Sequence, residues 1–144
     1  MEENELSIFP ERVVVYASFW ERFAAAFLDG LIVSAVTYPM YYFVFGSLTQ
    51  PGVSANLVGV IIAWLYEALQ ESGPAQATLG KRAMGIKVTD MNGLRISFGR
   101  ATGRHFGKII SFVILLIGYL MVLWDDKKQA LHDKMAGTFV VLNK

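Results

Sequence analysis

Three apolar blocks separated by polar stretches set the frame of this chain: residues 19–45, 55–70 and 109–124. As helices rising about 1.5 Å per residue, the first covers roughly 40 Å and the other two about 24 Å each, against about 30 Å of bilayer hydrocarbon. The pattern predicts an α-helical integral membrane protein built as one domain. It has a transmembrane helix at 19–45 and a second at 54–71. The third apolar segment, 106–124 with Lys108 snorkelling, either spans or re-enters the membrane. Pro39 predicts a kink in the first helix, and a re-entrant third segment would turn near Gly118. Ahead of these lies a polar tail, 1–18, in which 12–16 reads as a short strand behind Pro10. It is acidic where a secretory signal would be basic, so the first helix is expected to stay in the mature protein.

The polar stretches are charged unequally. Lys81, Arg82, Lys87, Arg95, Arg100, Arg104 and Lys108 face Asp90 alone in the loop 81–108, whereas the turn at 46–54 carries no charge. By the positive-inside rule the basic loop and the N-terminus are cytoplasmic, in a bacterial inner membrane, and the uncharged turn is outside. Within the loop, Ile86 and Val88 alternate with Lys87 and Thr89, while Leu94, Ile96 and Phe98 alternate with Arg95 and Ser97. Asn92-Gly93 sits between them, which predicts a β-hairpin over 86–98. In the tail, 125–144, residues 129–136 read as a short amphipathic helix closed by Gly137, and 138–142 as a strand that can join the hairpin as a third. That pairing favours a cytoplasmic tail; a spanning third segment would place it outside.

Composition narrows the chemistry. Hydrophobic residues make up 54% and charged ones 17%, with a net charge of +1, which suits a bilayer and argues against nucleic acid as a partner. There is no cysteine and there are two histidines, so no metal and no cofactor is expected. Thr78-Leu79-Gly80-Lys81 lacks the glycine spacing of a phosphate loop, and no serine sits in a nucleophile elbow, so an enzyme is not expected.

What needs explaining is charge inside apolar blocks. Arg22 and Asp29 are seven residues apart, hence on one helical stripe and about 10 Å apart along the axis. An aspartate at membrane depth costs about 2.5–3.5 kcal/mol on insertion scales, so it needs a partner or a role. Ser34, Thr37 and Tyr38 near the same face read as helix packing. Glu67 falls at the end of the second block, just inside the boundary or at the interface. Arg100, Arg104 and Lys108 recur every four residues, a basic stripe suited to anionic lipid headgroups at about 1 kcal/mol each. His105 beside it reads as packing.

Three ordered motifs, FWERFAAAFLDG, QATLGKRAMGIKV and LHDKMAGTFVV, resemble the RDD family of bacterial multi-pass membrane proteins, over about 16–142. The resemblance implies that Arg22, Asp29 and Asp133 are the arginine and two aspartates of the family's name. Some members are associated with monovalent cation/proton antiport. For this chain that implies cation/proton transport by an oligomer, with Asp29 titrating, Arg22 tuning it, Asp133 accepting and Glu67 close by. The alternative is a non-catalytic accessory or scaffold protein in which the same charges are structural. Expected partners are the lipid bilayer, with its anionic lipids, and either further copies of the chain or a partner membrane protein.

Overall fold

Ser18 begins the longest element. Its hydroxyl accepts from the Glu21 backbone N–H, and the Glu21 carboxylate accepts from the Ser18 N–H at 2.7 Å, a reciprocal cap that satisfies two donors helix geometry would leave open. In the computed structural model, which describes residues 13–46, 52–114 and 116–143, helix α1 runs from there over Phe19–Phe45 and is continuous through Pro39. It ends at Gly46, whose φ of +68° is a conformation glycine adopts without strain. Helix α2 is Val53–Glu71. Both helices are long and apolar enough to cross a membrane, and little of either is buried within the chain. Phe27, Leu31, Val36 and Phe43 lie exposed along α1, as lipid-facing side chains do. Most of the uncharged turn lies outside the described residues.

The third apolar segment is two pieces. Helix α4 (Phe98–Val113) and the run of α5 (Ile117–Leu120) and a 3₁₀ turn (Met121–Leu123) meet at a bend of 114°. This is the geometry of a broken span or a re-entrant loop. The bend lies between Val113 and Ile117, just ahead of Gly118, and Leu116 takes φ +64° at the start of α5. Gly118 is buried against Ser111, where an added Cβ would sit 2.7 Å from the serine Cβ. The glycine in the apolar run thus marks close approach of the returning chain to α4. Gly118→Ala is expected to cost about 1–3 kcal/mol by overpacking, read as a lower thermal midpoint in detergent. A midpoint unchanged from the parent chain would show that the return does not pack on α4.

The short helix α3 (Leu79–Ala83) and strand β1 (Ile86–Asp90) follow α2, and α6 (Leu131–Ala136) and strand β2 (Thr138–Leu142) end the described chain. Strands β1 and β2 pair antiparallel, with Ile86 opposite Leu142, Val88 opposite Val140 and Asp90 opposite Thr138. The β-element expected next to the membrane helices is therefore present, but the hairpin over 86–98 is not. The turn itself forms: Gly93 has φ +80°, and the Asp90 carboxylate accepts from the N–H of Asn92 and of Leu94, both at 2.8 Å. Beyond Gly93 a single rung forms, the Asp90 N–H donating to the Leu94 carbonyl at 2.8 Å, and no second strand follows, because Ser97 already caps α4 by accepting from the Arg100 N–H at 3.2 Å. The more apolar 138–142 takes the place instead. On the far edge of β2, Tyr16 bridges Val141, with Ala17 N–H donating to Val140 O and Leu142 N–H to Val15 O, both at 2.9 Å. The predicted 12–16 strand is thus reduced to this bridge among the described residues; Arg12 lies outside them. Ala17, Ala25, Ala68, Ile86, Val88, Ile96, Ala101 and Val140 form the core, with Trp64 packed against it, where the sheet meets one end of the helices.

Candidate functional site

The charged residues of five helices converge beside that core. Arg22, one turn into α1, donates from Nη1 to Asp133 Oδ2 at 2.5 Å, from Nη2 to the Lys128 carbonyl at 2.5 Å and from Nε to the Ala17 carbonyl at 3.2 Å. Asp133 sits in the first turn of α6, where it also accepts from the Ala130 N–H at 3.1 Å. Its other oxygen accepts from Arg104 Nε of α4 at 2.8 Å. Arg104 Nη1 then donates to both oxygens of Glu71 at the end of α2, at 2.6 and 2.7 Å. Lys81 of α3 pairs with Glu71 at 2.7 Å and lies 3.7 Å from Glu67, one turn earlier on α2. Glu67 in turn holds Lys108 and the His105 Nδ1, the latter at 2.6 Å. One ladder of four cations and three carboxylates thus ties together α1, α2, α3, α4 and α6. Asp133 and Glu71 are 0% exposed and Arg104 is 2% exposed.

Asp29 stands apart from that ladder. One oxygen accepts from the Tyr66 hydroxyl and the Gly80 N–H, each at 2.8 Å, and the other from the Thr78 hydroxyl at 2.5 Å. Thr78 also caps α3 by accepting from the Lys81 N–H at 3.3 Å. A Cβ on Gly80 would run into the Ala25 carbonyl oxygen and lie 2.8 Å from the Asp29 carboxylate. The Thr78-Leu79-Gly80-Lys81 stretch, which lacks phosphate-loop spacing, is therefore the seat of α3 on α1, with Asp29 as its anchor. Arg22 and Asp29 do not pair: two turns of helix separate them, and Arg22 is engaged by Asp133.

The basic stripe is redistributed as well. Arg100 is on the surface, but Arg104 and Lys108 turn inward onto α2, because Glu67 and Glu71 are spaced four apart there and meet cations spaced four apart on α4. That facing acidic pair is the signal through which Glu71, and with it Lys81, could be found; from its place in the chain alone, Glu71 reads only as the return to the interface. His105 does more than pack, since it bonds Glu67.

Burial alone would raise the Asp133 carboxyl, but Arg104 and Arg22 beside it hold it well below the usual carboxylate range. His132 is driven the other way from a charged imidazole: burial lowers it well below its ordinary value, and Arg104, Lys108 and Arg22 lower it further against Asp133. Ser111, His132 and Asp133 lie in a row, at 3.5 and 3.6 Å. Yet the Ser111 hydroxyl is fully buried and donates to the Gly107 carbonyl at 3.1 Å, the position of a packing residue and not of a nucleophile. Because the unfolded chain protonates His132 near pH 6.5 and the folded chain does not, stability is full above that pH and falls as pH drops below it, by up to about 1.4 kcal/mol per unit. The thermal midpoint is expected to decline from pH 7 to pH 5, and His132→Gln to reduce the slope. An identical slope in the variant would assign it elsewhere. Loss of the Asp133 contribution comes only at much lower pH, as its depressed carboxyl is titrated.

A cavity of about 330 Å³ borders the ladder between α1, α2 and α4, lined by Asp29, Ser34, Tyr66, Glu67, Lys81 and His105 among others. A second cavity lies on the other side of Lys81 and Lys108. Among the described residues no group of three or more histidine or carboxylate side chains is placed to hold a metal ion.

The RDD family model matches residues 16–137. The uncharacterized protein YxaI of Bacillus subtilis is 34% identical, covering 87% of this chain and 96% of that protein. The uncharacterized membrane protein YteJ of the same organism is 32% identical, covering 90% and 82%. A proline-rich antigen of Mycobacterium leprae is 36% identical over 54% of this chain and 30% of its own length. No solved structure gives a significant match.

Proposed function

This chain belongs to the RDD family, and from that premise we propose that it is a non-catalytic membrane scaffold or accessory protein, in which the arginine–aspartate ladder fixes the membrane helices against the small sheet. The observation that supports this reading is the pairing itself. Arg22 reaches Asp133 across 111 positions of sequence, Arg104 joins Asp133 to Glu71, and no buried side-chain nitrogen or oxygen among the described residues lacks a partner. Such a ladder suits a rigid surface. In this reading the sheet and the N-terminus are cytoplasmic in a bacterial inner membrane, by the charge of 81–108, and the occupant of the exposed α1 face is another copy or a partner membrane protein.

A second reading, cation/proton transport by an oligomer, draws on one observation: Asp29 and Glu67 both line the cavity of about 330 Å³, together with the hydroxyls of Ser34 and Tyr66. Asp29 is then the cation-binding carboxylate, without Arg22. Reconstitution separates the two. On the scaffold reading, liposomes carrying the chain show no proton-coupled sodium or potassium flux above empty ones, and Asp29→Asn lowers thermal stability by about 1–3 kcal/mol by loosening α3. Flux that the parent chain supports and a folded Asp29→Asn variant abolishes would overturn the scaffold reading in favour of transport.

A further inference from the structure

We propose that the second cavity, of about 350 Å³ between α1, α4 and the bent-back segment, binds the phosphate headgroup and proximal chain of one anionic phospholipid. Its floor is cationic: Arg22, Lys81, Arg104 and Lys108 all line it, and no carboxylate among the described residues does. The carboxylates that pair with these four, Asp133, Glu71 and Glu67, stand behind them. The cavity thus meets the positive side of the ladder, while the first cavity receives Asp29 and Glu67. Arg104 adds a directed donor. Its Nε and Nη1 bond Asp133 and Glu71, and the same residue lines this cavity. A planar guanidinium edge presented from a site that is otherwise buried suits a phosphate oxygen.

The mouth selects the source of that phosphate. It is flanked by Phe23 and Phe112, which are 56% and 67% exposed on helices whose outer faces are apolar. A soluble anion would have to cross this aromatic rim, whereas a lipid enters sideways with its chain against the rings and its headgroup ahead of it. The cavity holds a headgroup and a few methylenes, and the remainder of the chain stays in the bilayer. This site differs from the surface stripe expected of Arg100, Arg104 and Lys108, since two of those three turn inward and line the cavity. It does not depend on which reading of the ladder is right.

The test is native mass spectrometry of the full chain released from micelles containing equal phosphatidylglycerol and phosphatidylcholine. One phosphatidylglycerol retained per chain, preferred by about tenfold, is expected. Ala26→Trp, which fills the slot from α1, is expected to remove the retained lipid, and Lys108→Gln to reduce the preference. Equal retention of the two lipids, or a preference unaltered in both variants, overturns the proposal. So does displacement of the lipid by excess inorganic phosphate, which would identify a site for free anions. Should Ala26→Trp fail to fold, the Lys108→Gln comparison decides alone.

Discussion

Asp133→Asn is expected to destabilise the folded chain by about 3–5 kcal/mol, because it removes the charge on which the buried Arg104 and the largely covered Arg22 converge. The amide retains the shape but presents an N–H₂ where an arginine also donates, so at least one of Arg22 and Arg104 loses its acceptor inside a region with little water. Either arginine alone would be costly to strand; both depend on the same carboxylate. The loss should appear as a lower denaturation midpoint in detergent. Lys134→Ala serves as the control, because Lys134, itself partly exposed, pairs with Asp125 in the turn before α6, an ion pair worth about 0–1 kcal/mol. If Asp133→Asn cost no more than Lys134→Ala, the ladder would not be holding α1 to α6.

Gly80→Ala is expected to cost about 3 kcal/mol, the second largest effect. The added methyl carbon would clash with the Ala25 carbonyl oxygen, which belongs to a helix backbone and cannot swing aside. Helix α3 must therefore lift from α1, at about 1–3 kcal/mol for the overpacking. The lift also separates Asp29 from the Gly80 N–H and the Thr78 hydroxyl, hydrogen bonds to a charged group worth about 1.5–3 kcal/mol each before water replaces them. Pairing this change with Asp29→Asn in a double-mutant cycle gives a sharp check: the two should be strongly non-additive, since each breaks the same contact. Simple additivity would mean that Gly80 and Asp29 act through different neighbours.

Elements built from local signals are legible in the chain itself. Helix α1 carries its own start and stop, Ser18 with Glu21 at one end and Gly46 at the other, so the apolar block and the helix share the bounds 19–45. The strand at 138–142 and the glycine that ends the helix before it are visible for the same reason. Where two signals compete, the sequence is ambiguous. Asn92-Gly93 specifies a turn and the turn forms, but the Ser97 cap stops a second strand from pairing beyond it. Gly118 reads as a reversal point because chain flexibility and close packing demand the same residue.

The site divides along the same line. Apolar periodicity and charge spacing by themselves determined that this is a membrane protein with two full-length apolar helices and that Arg104 and Lys108 share a face of α4; the resemblance of three ordered motifs to the RDD family is what implied a shared role for Arg22, Asp29 and Asp133. The tertiary structure alone decided that Arg22 meets Asp133 and not Asp29, that Glu71 and Lys81 complete the ladder, and that most of the basic stripe turns inward. The physical reason is that helical periodicity sets the phase of side chains about one axis, over distances of a turn or two. Which phase faces which neighbour is settled only when helices far apart in sequence pack, and a buried charge then takes whatever opposite charge that packing brings within about 3 Å.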